Sequence, residues 1–214
     1  MANSSTSSSR NVSIRPERFP SHLPAQALQR PFFERDTHPV ARELLGKLLE
    51  VGLGSSRVIG RIVETEAYVG EDPGSHWHRG ESPRCKIVFG TPGLAYVYLI
   101  YGNYEMLNFV TEPEGRPGAV LIRAIEPIAG IALMALRRKL GRGDDRELGI
   151  RMSDQGESVG GDRIRLFDDG FRPGRVLASP RIGLTRGTES LWRYFIEGNP
   201  HVTKSPLNRQ AVPA

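Results

Sequence analysis

The run Val58-Ile59-Gly60-Arg61-Ile62-Val63-Glu64-Thr65-Glu66-Ala67-Tyr68-Val69 constrains the fold more than any other stretch of the chain. Its β-branched and apolar residues are those of a strand. Side chains alternate along a strand, so Ile62, Glu64, Glu66 and Tyr68 are expected on one face. A carboxylate buried in such a run must be paired, protonated or put to use. A second, aromatic strand candidate follows at Ala95-Tyr96-Val97-Tyr98-Leu99-Ile100-Tyr101, with Gly102-Asn103-Tyr104 after it. Together the two suggest a pocket holding an acid or base, with walls for a flat ring.

Around these strands the pattern is one of hairpins. Thr37–Leu49 reads as a short amphipathic helix with Gly46 near its end, running into a strand at Leu48–Val51. A turn at Gly54-Ser55-Ser56 then leads to Val58–Val69. Residues 70–93 are rich in Gly, Pro, His and Arg and read as a functional loop. Strands are expected near 94–101 and 105–111, and Gly115-Arg116-Pro117-Gly118 turns the chain into Ala119–Ile125. Glu126-Pro127 is expected to open a helix over Ile128–Lys139, since proline suits a first helical turn and basic residues suit the last. Shorter strands fit Arg163–Phe167, Arg175–Ala178 and Trp192–Ile196. The expectation is an α+β fold, a single domain on a curved, mainly antiparallel β-sheet with peripheral helices. Residues 1–20 read as a disordered Ser-rich tail, 21–207 as the catalytic domain and 208–214 as a flexible C-terminal tail.

The 214 residues suit one domain. No apolar run approaches the roughly 20 residues of a membrane-spanning helix, and the Ser-rich start lacks the hydrophobic region of a secretory signal. The single cysteine, Cys85, excludes an internal disulfide and fits a reducing, cytoplasmic setting. Net charge is +5, of which the three arginines and one glutamate of residues 1–20 supply part, leaving +3 on the body. That is compatible with a polyanionic partner and does not require one.

Several residues could carry chemistry. Glu64 and Glu66 are too close along one strand to flank a sugar as a paired acid and base, so one carboxylate acting on a water is the better reading. Solvent exposure on an edge strand is the plain alternative. His76, His78, Glu66 and Cys85 could be drawn together as zinc ligands, but no metal-binding spacing supports this. Neither a phosphate-binding glycine loop nor a nucleophile elbow is present. Four of the six tyrosines, Tyr96, Tyr98, Tyr101 and Tyr104, fall within nine residues. They could be sheet-surface aromatics, yet aromatic faces stack on bases by about 1–3 kcal/mol each, and an aromatic at a turn can wedge into a duplex. Arg79, Arg84 and Lys86 form either a solvated basic loop or a set of phosphate contacts.

These stretches, taken in order, resemble the alkyladenine (3-methyladenine) DNA glycosylase family, the base-excision enzymes that lack a helix-hairpin-helix. The resemblance lies in Gly60–Tyr68, Ser75-His76 with Arg79-Gly80, Pro83-Arg84, Pro92-Gly93, Tyr96-Val97-Tyr98, Tyr101-Gly102, Asn108, Leu121–Pro127, Arg181-Ile182-Gly183 and Trp192–Pro200. It extends from about Leu23 to Ser205. It implies that Glu66 is the general base for the attacking water, with Arg123 and a backbone carbonyl near Ile182 helping to hold that water. Tyr68, His76 and Tyr98 would enclose a flipped base, Asn108 would screen purines by their exocyclic groups, and Tyr101 would fill the gap in the duplex. Arg79 and Arg84 would contact DNA. No metal or cofactor is implied; the partner is double-stranded DNA containing damaged purines, engaged by a monomer. Glu81 stands where the family pattern has an arginine, and residues 141–161 depart from it.

The sequence thus reads as a monofunctional glycosylase acting on alkylated or deaminated purines. A nucleic-acid-binding protein retasked on the same fold is the main rival. A hydrolase of free nucleosides, which needs a pocket but no wedge, is a third reading.

Overall fold

The computed structural model describes residues 25–54, 56–100, 102, 104–140 and 148–214. The Ser-rich tail and Tyr101 lie outside the described residues. Ten strands are described: β1 (Gln26–Ala27), β2 (Leu48–Leu53), β3 (Ser56–Val69), β4 (Ala95–Ile100), β5 (Tyr104–Val110), β6 (Gly118–Ala129), β7 (Ile164–Asp168), β8 (Val176–Ser179), β9 (Arg193–Ile196) and β10 (Val212–Pro213). The helices are α1 (Arg30–Phe33), α2 (Thr37–Glu43) and α3 (Ile131–Leu140). The strands form one sheet in the order β1-β7-β2-β3-β6-β5-β4, with β9, β8 and β10 added beside β3. Every described pairing is antiparallel. The α+β expectation is therefore met.

The sheet is organised around β3. Its first half, Ser56–Arg61, pairs with β2, whereas Glu64–Glu66 pair with Phe195, Tyr194 and Arg193 of β9. Along its other edge runs β6, with irregular register. Ile62 pairs with Ile125 and Glu64 with Ala124, so Val63 is an extra residue on β3; Thr65 then pairs with Ile122, which leaves Arg123 as an extra residue on β6. Such bulges bend a strand and re-aim side chains. Here one precedes Glu64 and the other is Arg123 itself.

The main core lies between the sheet and α2, where Val40, Ala41 and Leu44 are fully buried against Ile62, Val63 and Ala67. Burial of this kind stabilises the fold by about 1.5–3 kcal/mol per large apolar side chain. Helix α2 is shorter than the sequence suggests. Gly46 adopts φ +88°, which ends the helical path, and its N–H bonds the Ile62 carbonyl at 2.8 Å to start β2. A second cluster, Trp77, Cys85, Val88, Tyr96, Val110 and Ala119, holds the 70–93 loop against the other face.

Two expectations are corrected. Pro127 does not open a helix; it lies in β6 opposite Gly60, beside the register shift that leaves Ile128 unpaired. Proline is tolerated there because β5 pairs with β6 only over Ala119–Leu121, so beyond that point no second neighbour needs its missing N–H among the described residues. The helix begins only after Gly130, at φ +74°. Nor do residues 208–214 trail away: Pro206–Gln210 form a 3₁₀ turn, and Val212 and Pro213 pair with Ala178 and Leu177.

Candidate active site

Glu64 and Glu66, two residues apart on β3, both have no exposed side-chain surface. The Arg123 bulge places its guanidinium between them, with Nε 3.2 Å from Glu64 Oε1 and Nη1 3.4 Å from Glu66 Oε1. Burial by itself would lower the Arg123 pKa, but the Glu66 and Glu64 carboxylates outweigh it and hold the group above its ordinary value. Glu66 has two closer donors. The Tyr68 hydroxyl donates to Oε2 at 2.7 Å, and the Ile182 backbone N–H donates to Oε1 at 2.8 Å. Three donors around one carboxylate fix its orientation. The Ile182 contact comes through its N–H, where the resemblance pointed to a carbonyl nearby.

Above this cluster opens a cavity of about 230 Å³, smaller than the roughly 300–1,000 Å³ of drug-sized sites. Tyr68, His76, Tyr96, Tyr98, Asn108 and Arg123 are among its lining residues, as are Ile182 and Leu184. Tyr96 and Tyr98 come from the same face of β4, with ring centroids 5.4 Å apart. The 70–93 loop delivers His76, which meets the Tyr98 ring edge-on at 4.5 Å and pairs through Nδ1 with the Tyr96 hydroxyl at 2.7 Å. Burial, then the Arg84 charge, pushes His76 down to about 4, so the ring is neutral at physiological pH. Burial pushes Tyr96 up to about 12 and raises Tyr68 and Tyr98 as well, so all three phenols stay protonated. The ring faces that Tyr68, His76, Tyr96 and Tyr98 present to the cavity are flat and uncharged.

Asn108 is buried on β5, and its Nδ2 donates to the Tyr96 and Met106 carbonyls at 3.1 and 3.2 Å, which fixes the amide in the wall. Arg84 stands over the Tyr98 ring at 5.6 Å and reaches the cavity lining, while Arg79 is exposed on the same loop. Glu66, Arg123, Tyr68, His76, Tyr98, Asn108 and Arg84 are thus gathered at one place; Arg79 lies outside the lining, and Tyr101 outside the described residues.

Sequence reasoning passed over two buried arginines as functional residues. Arg181 pairs with Asp72, which anchors the 70–93 loop, and its guanidinium lies 4.6 Å from the Tyr68 ring centroid. Arg193 pairs with Glu64 at 2.6 Å. The signal available was an arginine set within the aromatic run Trp192-Arg193-Tyr194-Phe195, where a strand so apolar needs a buried anion to justify it.

A slot of protonated phenols and a neutral imidazole thus stands above a buried, donor-held carboxylate. Residues 31–200 match the family described as Methylpurine-DNA glycosylase (MPG), and the chain belongs to that family. A protein of Koribacter versatilis is 41% identical over 191 residues, covering 82% of this chain and 92% of its own length. Proteins of Methanocella arvoryzae and Chlorobium phaeobacteroides are 43% and 42% identical, covering 83% and 81% of this chain. All three are provisionally named 3-methyladenine DNA glycosylase.

Proposed function

We propose that the protein is a monofunctional DNA glycosylase that flips a damaged purine out of duplex DNA and hydrolyses its N-glycosidic bond. The observation that carries this reading is Glu66, buried and held by three donors, one hydrogen bond behind an aromatic slot. A base inside the stack cannot be reached, and extrusion costs a few kcal/mol, least where the base is damaged or mispaired. Tyr98, Tyr68 and His76 receive the flipped ring. Their uncharged faces suit alkylated purines such as 3-methyladenine and 7-methylguanine, whose positive charge adds attraction to an aromatic face. Hypoxanthine and ethenoadenine fit the same slot, screened by Asn108.

Glu66 takes a proton from the attacking water, whose oxygen bonds the sugar C1′ as the electron pair of the breaking bond leaves with the purine. The carboxylate also stabilises the positive charge that builds on the sugar. In the free protein Oε2 is covered by the Tyr68 hydroxyl, so seating of the base turns the phenol aside and gives that position to water. Arg123 keeps the carboxylate oriented. Arg79 and Arg84 meet the phosphates, and Tyr101, which follows β4 in sequence, fills the vacated stack. The product is an abasic site without strand cleavage.

Single-turnover excision from duplexes carrying 7-methylguanine, hypoxanthine or 1,N6-ethenoadenine tests this. Glu66→Gln is expected to keep duplex binding while excision falls by about 10²-fold or more, the scale of a lost general base. Equal rates in variant and wild type would remove Glu66 from the chemistry. Binding without release by the wild type would favour the retasked binder.

A further inference from the structure

Glu64 is the second carboxylate of β3, and the reaction above gives it no part. Its Oε1 accepts from Arg193 Nε at 2.6 Å and from Arg123 Nε at 3.2 Å, and its Oε2 accepts the Thr203 backbone N–H at 2.7 Å. Arg193, fully buried, turns its remaining nitrogens rearward: Nη1 to Ser179 Oγ and Asn208 Oδ1, both at 2.9 Å, and Nη2 to the Thr203 carbonyl at 3.4 Å. Asn208 Nδ2 closes the ring onto that same carbonyl at 3.1 Å. Ser205 accepts the Leu207 N–H at 3.2 Å and so caps the 3₁₀ turn that carries Asn208. Thr203, Ser205 and Asn208 all lie past residue 200, where the family match ends.

We propose that Glu64 is a positioning residue for Arg123, and that the C-terminal segment Thr203–Asn208 fixes Glu64 by locking Arg193 from behind. The proposal rests on the reading of Glu66 as the base. A guanidinium is a rigid planar fork, so fixing Nε against Glu64 also fixes the direction in which Nη1 meets Glu66. Charge makes the rear arginine necessary. With Arg123 alone, two buried carboxylates would share one cation; Arg193 balances the charge of Glu64 and leaves that of Arg123 to Glu66. Buried networks of this kind are coupled throughout, so loss of a distant bond is felt at the far end. The active-site geometry is thereby tied to a segment that touches none of the cavity.

Two variants, Asn208→Ala and Glu64→Gln, test this with two readouts. The first is single-turnover excision set beside lesion-duplex affinity. The second is the solvent-exchange rate of the Arg123 Nε–H, followed by ¹⁵N NMR and assigned by its loss in Arg123→Lys. Asn208→Ala is expected to slow excision roughly three- to tenfold, and Glu64→Gln more, the range for substitutions along a coupled network. Affinity stays within about twofold, because no slot residue is altered and only the reacting geometry is disturbed. In both variants the Arg123 Nε–H exchanges faster. An Arg123 signal that ignores both substitutions overturns the proposal whatever the rates do, and so do wild-type rates in both. If Glu64→Gln does not fold, Asn208→Ala decides alone. A wild type that releases no base, with an Arg123 signal that still answers to Asn208→Ala, sinks the glycosylase reading and leaves the positioning intact.

Discussion

His76 shows how one residue's surroundings set its chemistry. Held by the Tyr96 hydroxyl and the Tyr98 ring, it is pushed from an ordinary 6.5 down to about 4 by burial and then by Arg84. The unfolded chain therefore binds a proton below about pH 6.5 that the folded ring refuses until about 4. Stability contributed at this site is full above pH 6.5 and is lost as pH falls toward 4. Urea denaturation at stepped pH is expected to show His76→Gln losing less stability across that window than wild type does; parallel curves would mean that the ring already carries its proton when folded. The sequence named His76 from its loop and its motif. It could not supply the neutral state, which depends on the burial of the ring in the folded chain and then on the nearby Arg84 charge.

Among the elements, β6 carries the clearest lesson. Its Leu121-Ile122-Arg123-Ala124-Ile125 run was legible as a strand, but Glu126-Pro127 imitated a helix start. Local signals alone cannot see that β5 has already left the edge, and it is this freedom that lets proline stay in the strand. The true boundary is Gly130, whose φ of +74° turns β6 into α3 and where an added Cβ would stand 2.7 Å from the Arg57 carbonyl oxygen. Gly130→Ala is therefore expected to lose on the order of 2–4 kcal/mol, backbone strain and overpacking together. The midpoint of chemical denaturation measures it, and a shift under about 0.5 kcal/mol, the level of an ordinary surface change, would contradict it. The C-terminal segment was misread for a related reason: residues 208–214 are few and hold one large apolar side chain, Val212, and only their pairing with β8 and Arg193 orders them.

For the whole molecule, net charge and architecture bear on the partner. A chain of charge +5 that neutralises phosphates should release counterions on binding, so the logarithm of lesion-duplex affinity is expected to fall linearly with the logarithm of salt concentration. Arg79→Gln, at an exposed position of the 70–93 loop, is expected to reduce that slope by about one unit while leaving discrimination among lesions alone. Titrations at several salt concentrations decide it. A salt-independent activity on free nucleosides would instead favour the third reading of the sequence.

By itself the sequence determined that the fold is an antiparallel α+β sheet and that β3 carries the carboxylates, and its motif order, through the family resemblance, put Tyr68, His76 and Tyr98 at one pocket. Those features follow from period-two alternation, residue type and motif order, which are local. Tertiary structure decided the rest. It is the two bulges between β3 and β6 that aim Arg123 at both carboxylates, and strands β8 and β9 that bring Arg193 behind Glu64. The physical reason is that a buried charge is meaningful only through its partners, and here those partners lie as many as 139 residues away along the chain.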